Sequence, residues 1–352
     1  MTHRALSSKA FASRKSQLSS GFSLLELMVA LTLGATVISS VYFIGGSSTK
    51  HFQEQQRIAQ SQLSLRIAME QLRRDISRAG FLGTPASSVD RNCETGTVDI
   101  RAVELTNNSE IAQIPNGVVH RVQADRLTLT GNYATSDNYL SAGIASTGNQ
   151  IFLQREWQGF RRSFHQNTTG TPFDATLFEN TFNSNRLLHV ETLVGNHYFL
   201  QITSRNAATA SIMFSPSVTI GGACLGGMGI GATVAPLSRI QYLIGNIGSN
   251  LNPGNTAAAA ATGSQSIQLI RRELNFSGTP ILNSERAVLD YVVDFNVDFI
   301  ADTCDGNMVR LTDADAQTYT TSASVVGVRA AVVRLSVRTP QQDPRFPWVT
   351  RA

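Results

Sequence analysis

After residue 15 the sequence holds a single lysine, Lys50, and its first 21 residues hold no Asp or Glu. Arg4, Lys9, Arg14 and Lys15 of that opening stretch account for the whole formal excess of +4. Without those four, the 29 Lys+Arg fall to 25 and equal the 25 Asp+Glu. Phosphate recognition needs positive charge gathered on one surface, so the composition gives no reason to expect a nucleic-acid partner. Proline is absent before Pro85. The three cysteines, Cys93, Cys224 and Cys304, form no CxxC pair, which excludes a zinc-ribbon pattern. In an exported chain they allow at most one intramolecular disulfide, with three pairings open. Cys93 with Cys224 is preferred, because Cys304 sits in an acidic turn and Cys93 closes the loop leaving a helix.

Catalytic signatures are missing as well. There is no GxSxG elbow, no HExxH and no Walker loop, and Gly227, Gly229 and Gly231 do not complete GxGxxG. His189 and His197 flank a turn-like stretch without carboxylate partners, a packing pattern more than a metal site. No enzyme activity and no cofactor are expected. The chain of 352 residues is still 42% hydrophobic, enough for a packed core.

What is present is concentrated at the start. An apolar run over 22–44 follows the basic leader and contains one ionisable residue, Glu26. About 20 such residues cross ~30 Å of hydrocarbon as a helix. The basic flank places the leader in the cytoplasm and the remainder outside. An ordinary secretory signal has an apolar core of about 7–15 residues and a small-residue cleavage site; this run is longer. A plain anchor has no use for Glu26, since a carboxylate in hydrocarbon costs about 2.5–3.5 kcal/mol.

The segment Gly21-Phe22-Ser23-Leu24-Leu25-Glu26 resembles the class III signal of type IV prepilins and type II secretion pseudopilins. The resemblance implies cleavage between Gly21 and Phe22 by a prepilin peptidase, N-methylation of Phe22, and a role for Glu26 as the assembly carboxylate. Cleavage would place a new α-amine four residues from Glu26, on one face at helical spacing. In a filament that amine could pair with Glu26 of a neighbour and neutralise two charges that an apolar surrounding penalises. The proline usual in the middle of this helix in major pilins is missing here.

Beyond residue 46 the pattern turns amphipathic. Ile58, Leu65, Met69, Leu72, Ile76 and Ala79 recur at three- and four-residue steps, with Leu63 and Ile67 alongside, and Gly80 is placed to cap the helix. From Thr84 onward alternation takes over, at Leu127/Leu129, Tyr198/Leu200/Ile202, Val293/Phe295/Val297/Phe299 and Val333/Leu335/Val337. These predict half-buried antiparallel strands, with further strands at 97–105, 150–156, 210–215, 239–244 and 267–275. The expected fold is α+β and pilin-like, a long N-terminal helix packed on a mostly antiparallel β head. The expected organisation is a leader over 1–21, a membrane or filament-core helix over 22–46, its amphipathic continuation over 47–80, and a periplasmic head over 81–352.

Two features of the head invite a functional reading. Asp298, Asp302 and Asp305, with Asp294, place oxygens near a turn and form a weak calcium candidate, against a solvated strand face. The run Arg155–His165 mixes cations with aromatics, as a protein contact patch does, against a strand and loop with aromatics in the core.

A wider resemblance runs through residues 72–83, 125–129, 238–244, 270–274 and 288–302, which are similar in order to segments of PilW-family minor pilins. It implies a low-abundance subunit that helps initiate a type IV pilus, near its tip. The implied partners are other minor pilins, the major pilin, the prepilin peptidase and the inner-membrane assembly platform. A J-type pseudopilin of type II secretion is the near alternative, and a membrane-anchored periplasmic binding protein or enzyme the distant one.

Overall fold

The computed structural model describes residues 23–90, 100–111, 123–165, 173–218, 229–245, 267–303 and 306–337. It opens with one helix, α1 (Leu24–Ser77). Two compact units divide the chain inside that helix, one reaching Ala59 and the other starting at Gln60. In the first unit the large apolar side chains, Leu24, Met28, Leu31, Val41 and Phe43 among them, are about half exposed or more. Four hydroxyls of this stretch bond back to carbonyls of the preceding turn: Thr32 to Val29, Thr36 to Leu33, Ser40 to Thr36 and Thr49 to Gly45. An apolar helix keeps its hydroxyls satisfied in this way where no water is at hand.

Past Gln60 the helical spacing meets a core. Leu65, Ala68, Leu72, Ile76 and Ala79 join one cluster with the head strands. Ile58, Leu63 and Ile67 stay exposed, so the packed stretch is shorter than the periodicity over 47–80 implied. Spacing shows which residues share a face, not whether anything covers it. The helix ends at Ser77, and Gly80 follows at φ +75. The Gly80 N–H donates to Thr130 O at 2.8 Å, and the Asn132 N–H to Phe81 O at 2.9 Å, which stitches the turn to a strand end. Gly131 is required there, because a Cβ would sit 2.4 Å from Arg78 O.

The head is built from antiparallel pairs: β1 (Val103–Ile111), β2 (Gln123–Gly131), β3 (Tyr139–Ile144), β4 (Gln150–Leu153), β5 (Leu187–Glu191), β6 (His197–Asn206), β7 (Ser211–Ser215), β8 (Thr233–Gly245), β9 (Gln268–Leu274), β10 (Arg286–Asp290), β11 (Val292–Asp302), β12 (Met308–Leu311) and β13 (Val328–Val337). β8 is the spine. Its first half pairs with β3 on one side and β5 on the other, and β3-β4-β7-β6-β5 closes on it as a six-stranded ring. Its second half pairs with β2 and β9 in an open sheet flanked by β1 and β10. A separate sheet runs β12-β11-β13.

Two cores result. One joins α1, the open sheet and the three-stranded sheet. The other fills the ring with Ile151, Leu188, Leu200, Ile202, Ile212 and Val234. Into this second core come two helices that the sequence reading missed, α2 (Gln158–Ser163) and α3 (Ala175–Thr181), carrying or adjoining Phe160, Phe164, Phe178 and Phe182. Tyr139 stacks on Phe164 at 5.4 Å and meets Phe182 edge-on at 5.3 Å. A third missed helix, α4 (Asp313–Thr320), covers the outer edge of β1: Thr320 Oγ1 accepts from the Leu105 N–H and Gln317 Oε1 from the Asn107 N–H. Helices of six to eight residues are too short to show a period.

Several strand expectations need correction. The strand expected at 150–156 stops at Leu153, and Trp157 instead caps α2. The strand expected at 97–105 starts at Val103, while 91–99 lie outside the described residues. Half-burial fails in the middle of the head, where Thr128, Thr130 and Phe199 are as buried as their apolar neighbours. At β11 a bulge between Val292 and Asp294 puts Val292 inside and leaves Val293 exposed.

Candidate functional site

The N-terminal site begins with a cap. The Ser23 hydroxyl accepts from the Glu26 N–H at 3.2 Å, and the Leu27 N–H donates to Ser23 O at 3.1 Å. Ser23 and Glu26 stand at the spacing of a capping box, a signal present in the sequence but not used there. Gly21 and Phe22 lie outside the described residues. Glu26 is exposed in the first helical turn, where the helix dipole favours a negative charge. Among the described residues its carboxylate has no partner.

A second polar site lies at the other end of the same helix. Asp75 is buried on the apolar face made by Ala68, Leu72 and Ile76. Its Oδ2 accepts from the Tyr242 hydroxyl of β8 at 2.6 Å and from Arg271 Nε of β9 at 2.7 Å. The Tyr133 hydroxyl donates to its backbone carbonyl at 2.9 Å. Tyr242 and Arg271 face each other across the β8–β9 ladder. Burial first, then the adjacent carboxylate, raises the Tyr242 hydroxyl above the ordinary tyrosine range, so it remains a donor. The sequence reading missed this site. Its signal was the one acid set into an apolar helical stripe.

Beside it the turn after α1 is held by a histidine pair. His189 Nδ1 lies 2.8 Å from Leu82 O and therefore carries the hydrogen. Its Nε2, 3.0 Å from His197 Nδ1, then accepts. Burial, and next the neighbouring His197 charge, lower the His189 pKa, while the bond to Leu82 opposes this; the result is about 4. The packing role expected of the pair describes His189, which is buried against Phe199 at 4.9 Å.

The calcium candidate meets different surroundings from those expected. Asp298 is buried, not solvated. Arg310 donates to its Oδ2 at 2.5 and 3.1 Å and Arg334 to its Oδ1 at 3.2 Å. Arg329 reaches Asp302 at 3.3 Å, and Asp305 lies outside the described residues. A cation approaching Asp298 meets two guanidinium charges, so Asp298 and Asp302 serve ion pairs, while Asp294 accepts from the Asn296 amide at 2.7 Å. Among the described residues no group of three or more His, Cys, Asp or Glu converges. Cys93, Cys224 and Cys304, with the pairing expected of Cys93 and Cys224, all lie outside the described residues. In the 155–165 run Phe160 and Phe164 are core residues, Arg155 lies over the Phe173 ring at 5.0 Å, and Trp157 is partly exposed with its Nε1 donating to Asn138 O.

Residues 17–42 match the family model described as the prokaryotic N-terminal methylation motif. No curated protein and no solved structure matches the chain. The matched stretch contains Gly21, Phe22 and Glu26 and runs into the apolar helix. The chain is thus a pilin-like α+β protein carrying the N-terminal methylation motif of type IV pilins and pseudopilins, with a long apolar helix ahead of an antiparallel β head.

Proposed function

We propose that this chain is a minor pilin of the PilW type, a structural subunit that helps initiate a type IV pilus and stands near its tip. In this reading the prepilin peptidase cuts after Gly21, Phe22 is N-methylated, and the chain waits in the inner membrane with its head in the periplasm. Other minor pilins, the major pilin and the assembly platform then receive it. Extraction from lipid into a filament would match the Phe22 amine of one subunit to Glu26 of another.

The observation that carries the reading is the methylation motif over 17–42 joined to a helical stretch, 24–44, whose large apolar residues are exposed and whose one acid, Glu26, lacks a partner among the described residues. Exposed apolar surface on that scale calls for lipid or neighbouring subunits. The test has two parts. Mass analysis of the chain from membranes should give N-methylphenylalanine at residue 22. Deletion of the gene should abolish surface pili and spare protein secretion; loss of secretion with intact pili would instead assign the chain to a type II secretion pseudopilus.

A further inference from the structure

Phe295, Val297 and Phe299 on β11 are at most 1% exposed, yet Leu335, Val333 and Ala331, directly opposite them on β13, are only partly buried. β13 pairs with β11 along one side, and among the described residues no strand pairs with its other edge. Native sheets blunt such an edge with proline, lysine or charges that stand over it. The ten residues of β13 include no proline and no lysine. Its two arginines are drawn back across the sheet to acids of β11, Arg334 to Asp298 at 3.2 Å and Arg329 to Asp302 at 3.3 Å. Neither charge guards the free edge.

Beside that edge α1 and β13 enclose a trough of about 760 Å³, lined by Leu65, Met69, Leu72 and Ile76 of the helix and by Ala331 and Val333 of the strand. A strand added to β13 would turn every second side chain into this trough. A helix laid there would bury the N–H and C=O groups of the edge without partners, whereas an extended segment satisfies them. The rim adds a sign. Arg66 and Arg73 stand over the trough with Glu70, which lies 3.8 Å from Arg73, so one cation is in excess. Two β13 edges paired with each other would bring this cationic rim together from both copies, which like-charge repulsion opposes. A carboxylate-bearing segment of another protein complements it.

We propose that β13 and the trough take up an extended, acidic segment of a partner protein. The segment pairs with the free edge of β13, seats alternate aliphatic side chains against Met69 and Val333, and sets a carboxylate beside Arg66. This contact stands whether or not the chain assembles into a filament.

The test places photo-activatable benzoylphenylalanine at Met69 of the full chain in its native cells and maps the adducts by mass spectrometry of the joined peptides. Irradiation should join residue 69 to a segment of a different protein in which apolar residues alternate with polar ones and at least one carboxylate is present. The same probe at Ile67, two residues away and on another face of α1, should not give that adduct. Arg66→Glu together with Arg73→Glu should cut the yield several-fold. Both arginines are exposed, so this variant should keep its melting temperature within about 2 °C of the parent. An adduct to the chain's own residues would show a trough filled from within, and an adduct to a second copy would make this face a self-contact. Either result overturns the proposal, as do an adduct that survives the charge reversal and the absence of any adduct at residue 69.

Discussion

Helix α1 carries two carboxylates among apolar residues, and they meet opposite circumstances. Asp75 is buried and has a tyrosine and an arginine on its side chain, with a second tyrosine on its carbonyl. Glu26 is exposed among exposed apolar residues and has no side-chain partner among the described residues. A buried charge left alone is costly, and a charge set in an apolar region needs a counter-charge. The head supplies one for Asp75 from within the same chain. For Glu26 no such partner is present among the described residues, and in the proposed pilin reading a neighbouring subunit supplies it.

The comparison breaks most sharply at Glu26. Glu26→Ala should abolish incorporation into filaments, read by immunoblot of sheared pili, while cleavage, membrane insertion and head stability stay unchanged. Normal incorporation of that variant would remove the assigned role. At the other end the expectation inverts. Arg271→Ala leaves Asp75 buried without its guanidinium and should cost the head about 3–5 kcal/mol, with processing at Gly21 untouched. Denaturant unfolding measures the loss, and pairing the change with Asp75→Leu should recover much of it, because both charges are then gone.

A smaller effect belongs to His189, which fastens the turn just after the helix. Its folded pKa of about 4 lies below the ordinary 6.5, so folding favours the neutral ring. The contribution is therefore complete above pH 6.5 and is lost as pH falls toward 4, by at most about 3 kcal/mol. His189→Gln keeps a donor for Leu82 O and removes the titration. The stability difference between the parent and this variant should shrink as pH drops through that window, and a difference that stays constant would detach the ring from the pH response.

The stem was legible because its signals are local. Glycine, phenylalanine, an acid and a long apolar run occupy adjacent positions, so no tertiary contact is needed to read them. The alternating strands at Leu127/Leu129 and Phe295/Val297/Phe299 were legible for the same reason. Three things were not. α2 and α3 are short helices held by their phenylalanines in the ring core, and six or seven residues carry no measurable period. The second faces of β2 and β6 read as wet, because Thr128, Thr130 and Phe199 say nothing about what covers them. Asp298 looked like a cation ligand because Arg310 and Arg334, which claim it, come from two other strands.

By itself, then, the order of residues determined the apolar helix, the one acid in its apolar run, the methylation motif and the change from helical to alternating spacing, since each depends on neighbours a few positions apart. The closure of six strands around β8, the burial of Asp75 against Tyr242 and Arg271, and the histidine contact to Leu82 were decided only by the tertiary structure. The side-chain contacts among these join positions from 107 to 196 residues apart, and the free energy of bringing such groups together depends on the whole fold.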